Sequence, residues 1–460
     1  MLPRYRLLLI FILLPLVLIA DSHRASAQNV RPTTITRVFW QDREAGKLSY
    51  ADLVTTNKWN LKRGWVQNFP TLTAEQHSLS QMQHVDGMLM LAVRGTDDEN
   101  LQSGWVAIDT GVFEEPHGNH FHWKYTRKPT VKRAVLDAEQ GNPTHVTVDD
   151  NTFYLGHDAK NGFTQVTLPQ LKTSGSADGV RFFSGGGGHI SLAVVDNAVA
   201  YATWIDREGE NAGRVDVISL EAGGSGEPAY SFRLPSGGIH GATTNSGKVF
   251  FAAADGVYWV QADTSVSETA ETVQVNHISL GIDEETQTPF RTNAFANDRN
   301  WVVCTTGSGP TSALCLLNAA STSPAVIRLP VSAAEGLRLT APELVLSLGK
   351  RYAFVFQDRI EATSDVQEQL TVIELDPNRD RNFSDARVRT TMPVGASRVE
   401  GHHGNHHICF DAYGRHAVFT EPGEGILNVM TLNNLRIVAR FRVGGAPDSI
   451  VAVGAPEHFH

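Results

Sequence analysis

The sequence predicts an all-β chain folded as a β-propeller, with eight blades favoured over seven. Short runs alternating apolar and polar residues recur between turns rich in Gly, Asn, Asp and Ser, with Gly alone supplying 40 of 460 residues. Helical periodicity is hard to find. The runs gather into units of roughly 40–60 residues, each opening on one strand, turning at Asp, Asn or Gly, and continuing through two more strands. That is the cadence of four-stranded blades around a central channel.

Taken in order, the first 27 residues form a leader rather than part of the fold. Arg4 and Arg6 precede the apolar run Leu7–Ile19, and Ala25-Ser26-Ala27 is a small-x-small cleavage site. The run is 13 residues long, against the roughly 20 needed to span a bilayer. A cleaved signal peptide is therefore expected, with one domain over residues 28–460 and a periplasmic or secreted location. Cleavage removes three Arg and one Asp, which moves the formal charge from −10 to −12. That acidity suits solubility and cations and argues against nucleic acid or membrane insertion as partners. A monomer is expected.

Strand-like runs follow at Met88–Arg94, Val106–Asp109, Thr152–Gly156, Ala198–Trp204, Arg214–Leu220, Val249–Ala253, Val257–Gln261, Trp301–Thr305 and Leu370–Leu375. Units open near Arg37, His77, Thr144, Gly188, Ile239, Thr292, Pro342 and Asn405. The first and last units are expected to share a blade, because Val38–Trp40 would otherwise be a bare edge.

This phasing makes the histidines informative. His145, His189, His240 and His407 each stand where an innermost strand begins, so they are expected to converge at one mouth of the channel. His77 fits the same place poorly. Gly185–Gly188 and Gly237-Gly238 remove side chains where backbones would crowd. A second cluster, His117, His120 and His122, sits in Glu114-Glu115-Pro116-His117-Gly118-Asn119-His120-Phe121-His122-Trp123. His120 and His122 leave an extended segment on the same side, and Gly118-Asn119 turns His117 back towards them. Because this loop belongs to the unit before His145, it is expected to fold over the same mouth. His402, His403 and His406 are expected to arrive from the other side of the ring. Imidazole nitrogen is a preferred ligand of Zn2+, which needs about four such donors. Neutral imidazoles are required, so affinity is expected to fall through about pH 6.5. Glu114 and Glu115 read as an exposed acidic lip, and Asp158 as turn chemistry.

Cys304 and Cys315 flank a hairpin that would set them opposite each other, leaving a disulfide or two buried thiols open. Cys409 reads as a buried strand residue. No Gly-x-Ser-x-Gly elbow, P-loop or His-Glu-x-x-His motif occurs. A binding protein is thus expected rather than an enzyme. The alternatives are a metal-dependent propeller hydrolase or lactonase, and a propeller serving only as an interaction platform.

Asp109-Thr-Gly-Val-Phe-Glu-Glu-Pro-His-Gly-Asn-His-Phe-His-Trp, Gly238-Ile-His-Gly-Ala-Thr and Phe251-Ala-Ala-Ala-Asp-Gly-Val resemble the periplasmic zinc metallochaperones of AztD type. The resemblance implies a propeller that passes zinc to the solute-binding protein of a zinc ABC transporter. It also implies His120, His122, His145, His189 and His240 as zinc ligands, with His117 and His407 secondary.

Overall fold

The computed structural model describes residues 32–96, 102–173, 180–400 and 403–457. The predicted leader and His402 lie outside them. Among the described residues, eight antiparallel sheets follow one another around a ring, so the favoured count of eight blades holds. The innermost strands of blades 2 to 6 are His77–Val85, Pro143–Asp149, Leu192–Val195, Ala242–Asn245 and Ala296–Asp298. In blade 7 the innermost position is split between Leu337–Leu339 and Glu343–Ser347, both paired with Lys350–Arg359. Blade 8 opens on Ile408–Phe410. The only α-helix described is the short Leu168–Thr173, and no helix is long and apolar enough to cross a membrane.

Blade 1 closes the ring as the edge argument requires. Thr33–Asp42, Lys47–Thr55 and Trp59–Gly64 take the C-terminal strand Pro447–Val453 as their innermost member. The unit opening near Arg37 is thus a second strand, with its inner partner drawn from the far end of the chain.

Burial follows position within a blade. Middle strands such as Met88–Gly95 and Lys248–Ala253 are almost wholly buried, because neighbouring blades cover both faces. Outer strands such as Arg436–Arg442 alternate with solvent. The cores therefore lie between blades: Met88, Met90, Ala92, Trp105 and Ala107 of blade 2 pack with Val146, Phe153 and Leu155 of blade 3. Phe153 is fully buried there. Phe153→Ala should cost about 3–5 kcal/mol, read as a lower urea midpoint with an unchanged slope.

Strand direction fixes what each mouth carries. Inner strands begin at one mouth, here the upper, and end at the lower. A third strand runs parallel to the first, so it also ends at the lower mouth. In blade 2 the third strand ends at Asp109, paired with Met88 beside the Val85–Met88 turn that closes the inner strand. Whatever follows Asp109 therefore leaves from the lower mouth.

Candidate metal centres

At the upper mouth, His145 on the inner strand of blade 3 meets His189 and His240, which precede the inner strands of blades 4 and 5. One ligand nitrogen from each lies within 4.8 Å of the others. His145 Nε2 is 2.8 Å from His189 Nε2, and the His189 and His240 rings stack at 5.0 Å between centroids. Glycines let the backbones approach, as the sequence suggests. A Cβ on Gly237 would sit 2.5 Å from the Asp206 carbonyl oxygen.

Two of the three rings are held from behind. His189 Nδ1 donates to Asp158 Oδ2 at 3.1 Å, and His240 Nδ1 donates to the Asn293 carbonyl at 3.2 Å. Both contacts place the ring proton on Nδ1, so that each Nε2 turns a lone pair towards the centre. Asp158 is itself fixed by Thr144 Oγ1 at 2.6 Å and Arg94 Nη1 at 2.7 Å. Burial pushes its carboxyl up, but hydrogen bonds from His189 and Thr144 and the charges of His189 and Arg94 hold it below the usual range. Asp158 is thus a positioning residue rather than plain turn chemistry. Its signal was its place one residue beyond His157, on a turn at the same mouth as the histidines. Burial, and then the charges of His189 and His240, push His145 down to about 3. A proton therefore competes for His145 far below pH 6.5, not through it.

The second cluster sits elsewhere. Phe113–His117 and His120–Lys124 form a two-stranded hairpin between the third and fourth strands of blade 2. It stands at the lower mouth, opposite His145, and does not fold over the upper one. Gly118-Asn119 makes the tight turn, with Gly118 at φ 63° and open space around it, and pairs His117 with His120. The three rings lie 4.8–5.1 Å apart between centroids, and His120 Nε2 is 3.2 Å from His122 Nε2. His122 Nδ1 donates to the Glu457 carbonyl at 3.3 Å. Glu114 and Glu115 are exposed, as expected of a lip, and Glu115 pairs with Lys124 at 3.0 Å.

Arg37 anchors the base of this hairpin, a role the sequence did not disclose. It is buried and doubly bonded to Asp52, at 2.6 and 3.0 Å. Its remaining donors reach the carbonyls of Thr110, Tyr125 and Arg127, which flank the insertion.

His407 does not join the channel triad. The closing strand brings Asp448 against it, with Nε2 3.2 Å from Oδ1. Burial pushes the imidazole down, but the hydrogen bond and charge of Asp448 hold it above its usual range. Such a ring carries a proton more readily than a metal. His406 stands in a third group with Asp358 and Glu368, fully buried. Its Nδ1 pairs with Asp358 at 2.6 Å and its Nε2 donates to the Gly395 carbonyl at 3.1 Å. Glu368 is occupied by Arg359 and Ser397. With both ring nitrogens engaged, this group is a structural network. His403 bridges back to Glu400 through the backbone, and buried His77 accepts from the Thr73 amide at 3.3 Å. Cys304 and Cys315 face each other in register as buried free thiols, and Cys409 is likewise buried.

The chain matches no protein-family model and no curated protein in sequence. Solved structures share its fold. AztD from Citrobacter koseri aligns at TM-score 0.60 with 14% identity, over 93% of this chain and all of that one. A structure described as apo AztD from the same organism gives 0.59 and 14%, over 92% and 98%. The periplasmic gluconolactonase PpgL of Pseudomonas aeruginosa gives 0.49 and 12%, over 92% and 100%, too distant to bear on function. The β-propeller expected from the blade cadence is thus shared with these solved structures.

Proposed function

We propose that the chain is an exported, non-catalytic metallochaperone that carries zinc as cargo and passes it to the solute-binding protein of a zinc ABC transporter. The observation that carries the reading is the pair of all-imidazole triads, one at each mouth. Three neutral imidazoles converging within 4.8 Å match the donor preference and spacing of zinc and leave a fourth position open. A hydrolytic site would also need a free base beside the metal. Here the nearest carboxylate, Asp158, already accepts from Thr144, His189, Arg94 and the Ile190 amide. That favours holding zinc over using it. The receiving partner is inferred from the AztD-type resemblance alone.

The two triads divide the work. The hairpin ligands stand on the strands that flank an exposed two-residue turn, suited to exchange. The channel ligands are braced by Asp158 and Asn293, suited to retention. Because they occupy opposite mouths, movement of the hairpin cannot open the channel triad, and each site should load by itself.

The test is zinc stoichiometry of the full chain against a competing chelator, beside a His120→Ala/His122→Ala variant. Wild type should bind two zinc ions and the variant one, with unchanged circular dichroism. Equal stoichiometry in both would remove the hairpin from the model. Loss of all binding in the variant would remove the channel triad.

A further inference from the structure

The hairpin group at the lower mouth has three members among the described residues, one short of the zinc preference. The carboxylates beside it are engaged elsewhere. Glu115 pairs with Lys124 at 3.0 Å, and Glu457 Oε2 accepts from the Thr34 amide at 3.2 Å. After the closing strand Pro447–Val453, the chain runs as a strap along the hairpin. The Gly454 carbonyl accepts from the Ala412 amide at 2.9 Å, and the Ala455 carbonyl from Tyr125 Oη at 2.7 Å. The Glu457 amide donates to the Thr34 carbonyl at 3.0 Å. The strap is thus fixed along its length, and the Glu457 carbonyl lies 3.3 Å from His122 Nδ1. Its last described residue therefore touches a ring of the triad. From there the sequence continues His458-Phe459-His460, the same His-Phe-His pattern as His120-Phe121-His122.

We infer that an imidazole of His458-Phe459-His460, carried past His122 by the strap, supplies the fourth zinc donor of the hairpin site. The contact at Glu457 sets where these residues leave the fold. Nδ1 of His122 faces that carbonyl, so a metal on Nε2 would stand one ring width beyond it. Three residues extend to about 10 Å, enough to pass a single imidazole without moving the strap. A histidine pair two apart in an extended segment turns both rings to one side, so either ring can serve. A fourth donor from a separate segment also suits cargo. An incoming ligand of the receiving protein can replace it while the hairpin keeps its own three. The inference rests on the proposed reading of the hairpin triad as a zinc site.

Zinc titration of the full chain against a competing chelator tests it, in a His189→Ala background that leaves the hairpin ion to be read. The variants are His458→Ala/His460→Ala, each single change, and Phe459→Ala as a control that alters the segment but keeps both imidazoles. The double variant should bind the hairpin ion at least about tenfold more weakly, with unchanged circular dichroism. Phe459→Ala should bind like its parent. Cobalt(II) loaded in place of zinc reports the coordination itself, and its visible bands should shift in the double variant alone. A loss confined to one single variant would identify the donor, and a partial loss in each would show that both rings serve. Parental affinity and parental cobalt bands in the double variant would overturn the inference, as would an equal loss in Phe459→Ala. A His120→Ala/His122→Ala variant separates the two readings. If it too binds like its parent, the hairpin site fails and the fourth donor with it. If it loses its ion while the His458→Ala/His460→Ala variant does not, the fourth donor alone fails.

Discussion

His189→Ala should weaken zinc binding at the channel site by at least about 100-fold, beyond the 10–100-fold typical of losing an outer-shell partner. The expectation follows from where the lone pairs point. Asp158 accepts the proton on His189 Nδ1, which leaves Nε2 bare and 2.8 Å from His145 Nε2. Two bare nitrogens would not rest that close, so neutral His145 carries its proton on Nε2 and shares it with His189. Zinc takes the place of that shared proton, and His145 shifts its own to the other nitrogen. Alanine at 189 removes the acceptor of this arrangement and one of three donors. The hairpin site, at the other mouth, should keep its ion. Stoichiometry should therefore fall from two to one while thermal stability of the metal-free protein changes little, since His189 is partly exposed. Retention of both ions would show that the channel triad is not a metal site.

The blade cadence was legible because it is a local property. Alternation of apolar residues, turn chemistry and repeat length survive without knowledge of any long-range contact. The convergence of His145, His189 and His240 was legible for a related reason: residues in equivalent places of successive blades meet by symmetry. His407 breaks the pattern because its neighbour is decided by chain closure. Pro447–Val453 crosses to blade 1 and sets Asp448 beside it, and nothing near Asn405 encodes that.

The hairpin lies at the mouth opposite His145 because of strand direction. Three strands precede Asp109 within its unit, and an odd number of antiparallel strands ends at the mouth opposite the one where the unit began. That parity was present in the sequence. Arg37 was not readable in the same way. It acts through partners 15 to 90 residues away, and a single arginine in a strand carries no mark of that.

Asp158→Asn should reduce zinc affinity at the channel site by about 10–100-fold, the usual effect of losing a carboxylate behind a metal-bound imidazole. Asparagine keeps the shape but removes the charge, and it keeps the hydrogen bond from Thr144 only when its oxygen takes the place of Oδ2. It also presents an amide that can face His189 with its nitrogen, in which case Nδ1 must accept and the proton moves to Nε2. The ring is then turned into a donor towards the site where a lone pair is needed. The Arg94 guanidinium, 2.7 Å from the same oxygen, loses its counter-ion and adds positive charge beside an incoming cation. Both effects act on the metal rather than on the fold. The native carboxyl is held below the usual range, so its stabilising contribution is complete above about pH 4 and is lost only as pH falls through its lower native value. Wild type and variant should thus differ in zinc affinity throughout neutral pH, and the gap should narrow only in strong acid. Equal affinities at pH 7, measured by chelator competition, would mean that Asp158 merely braces the turn.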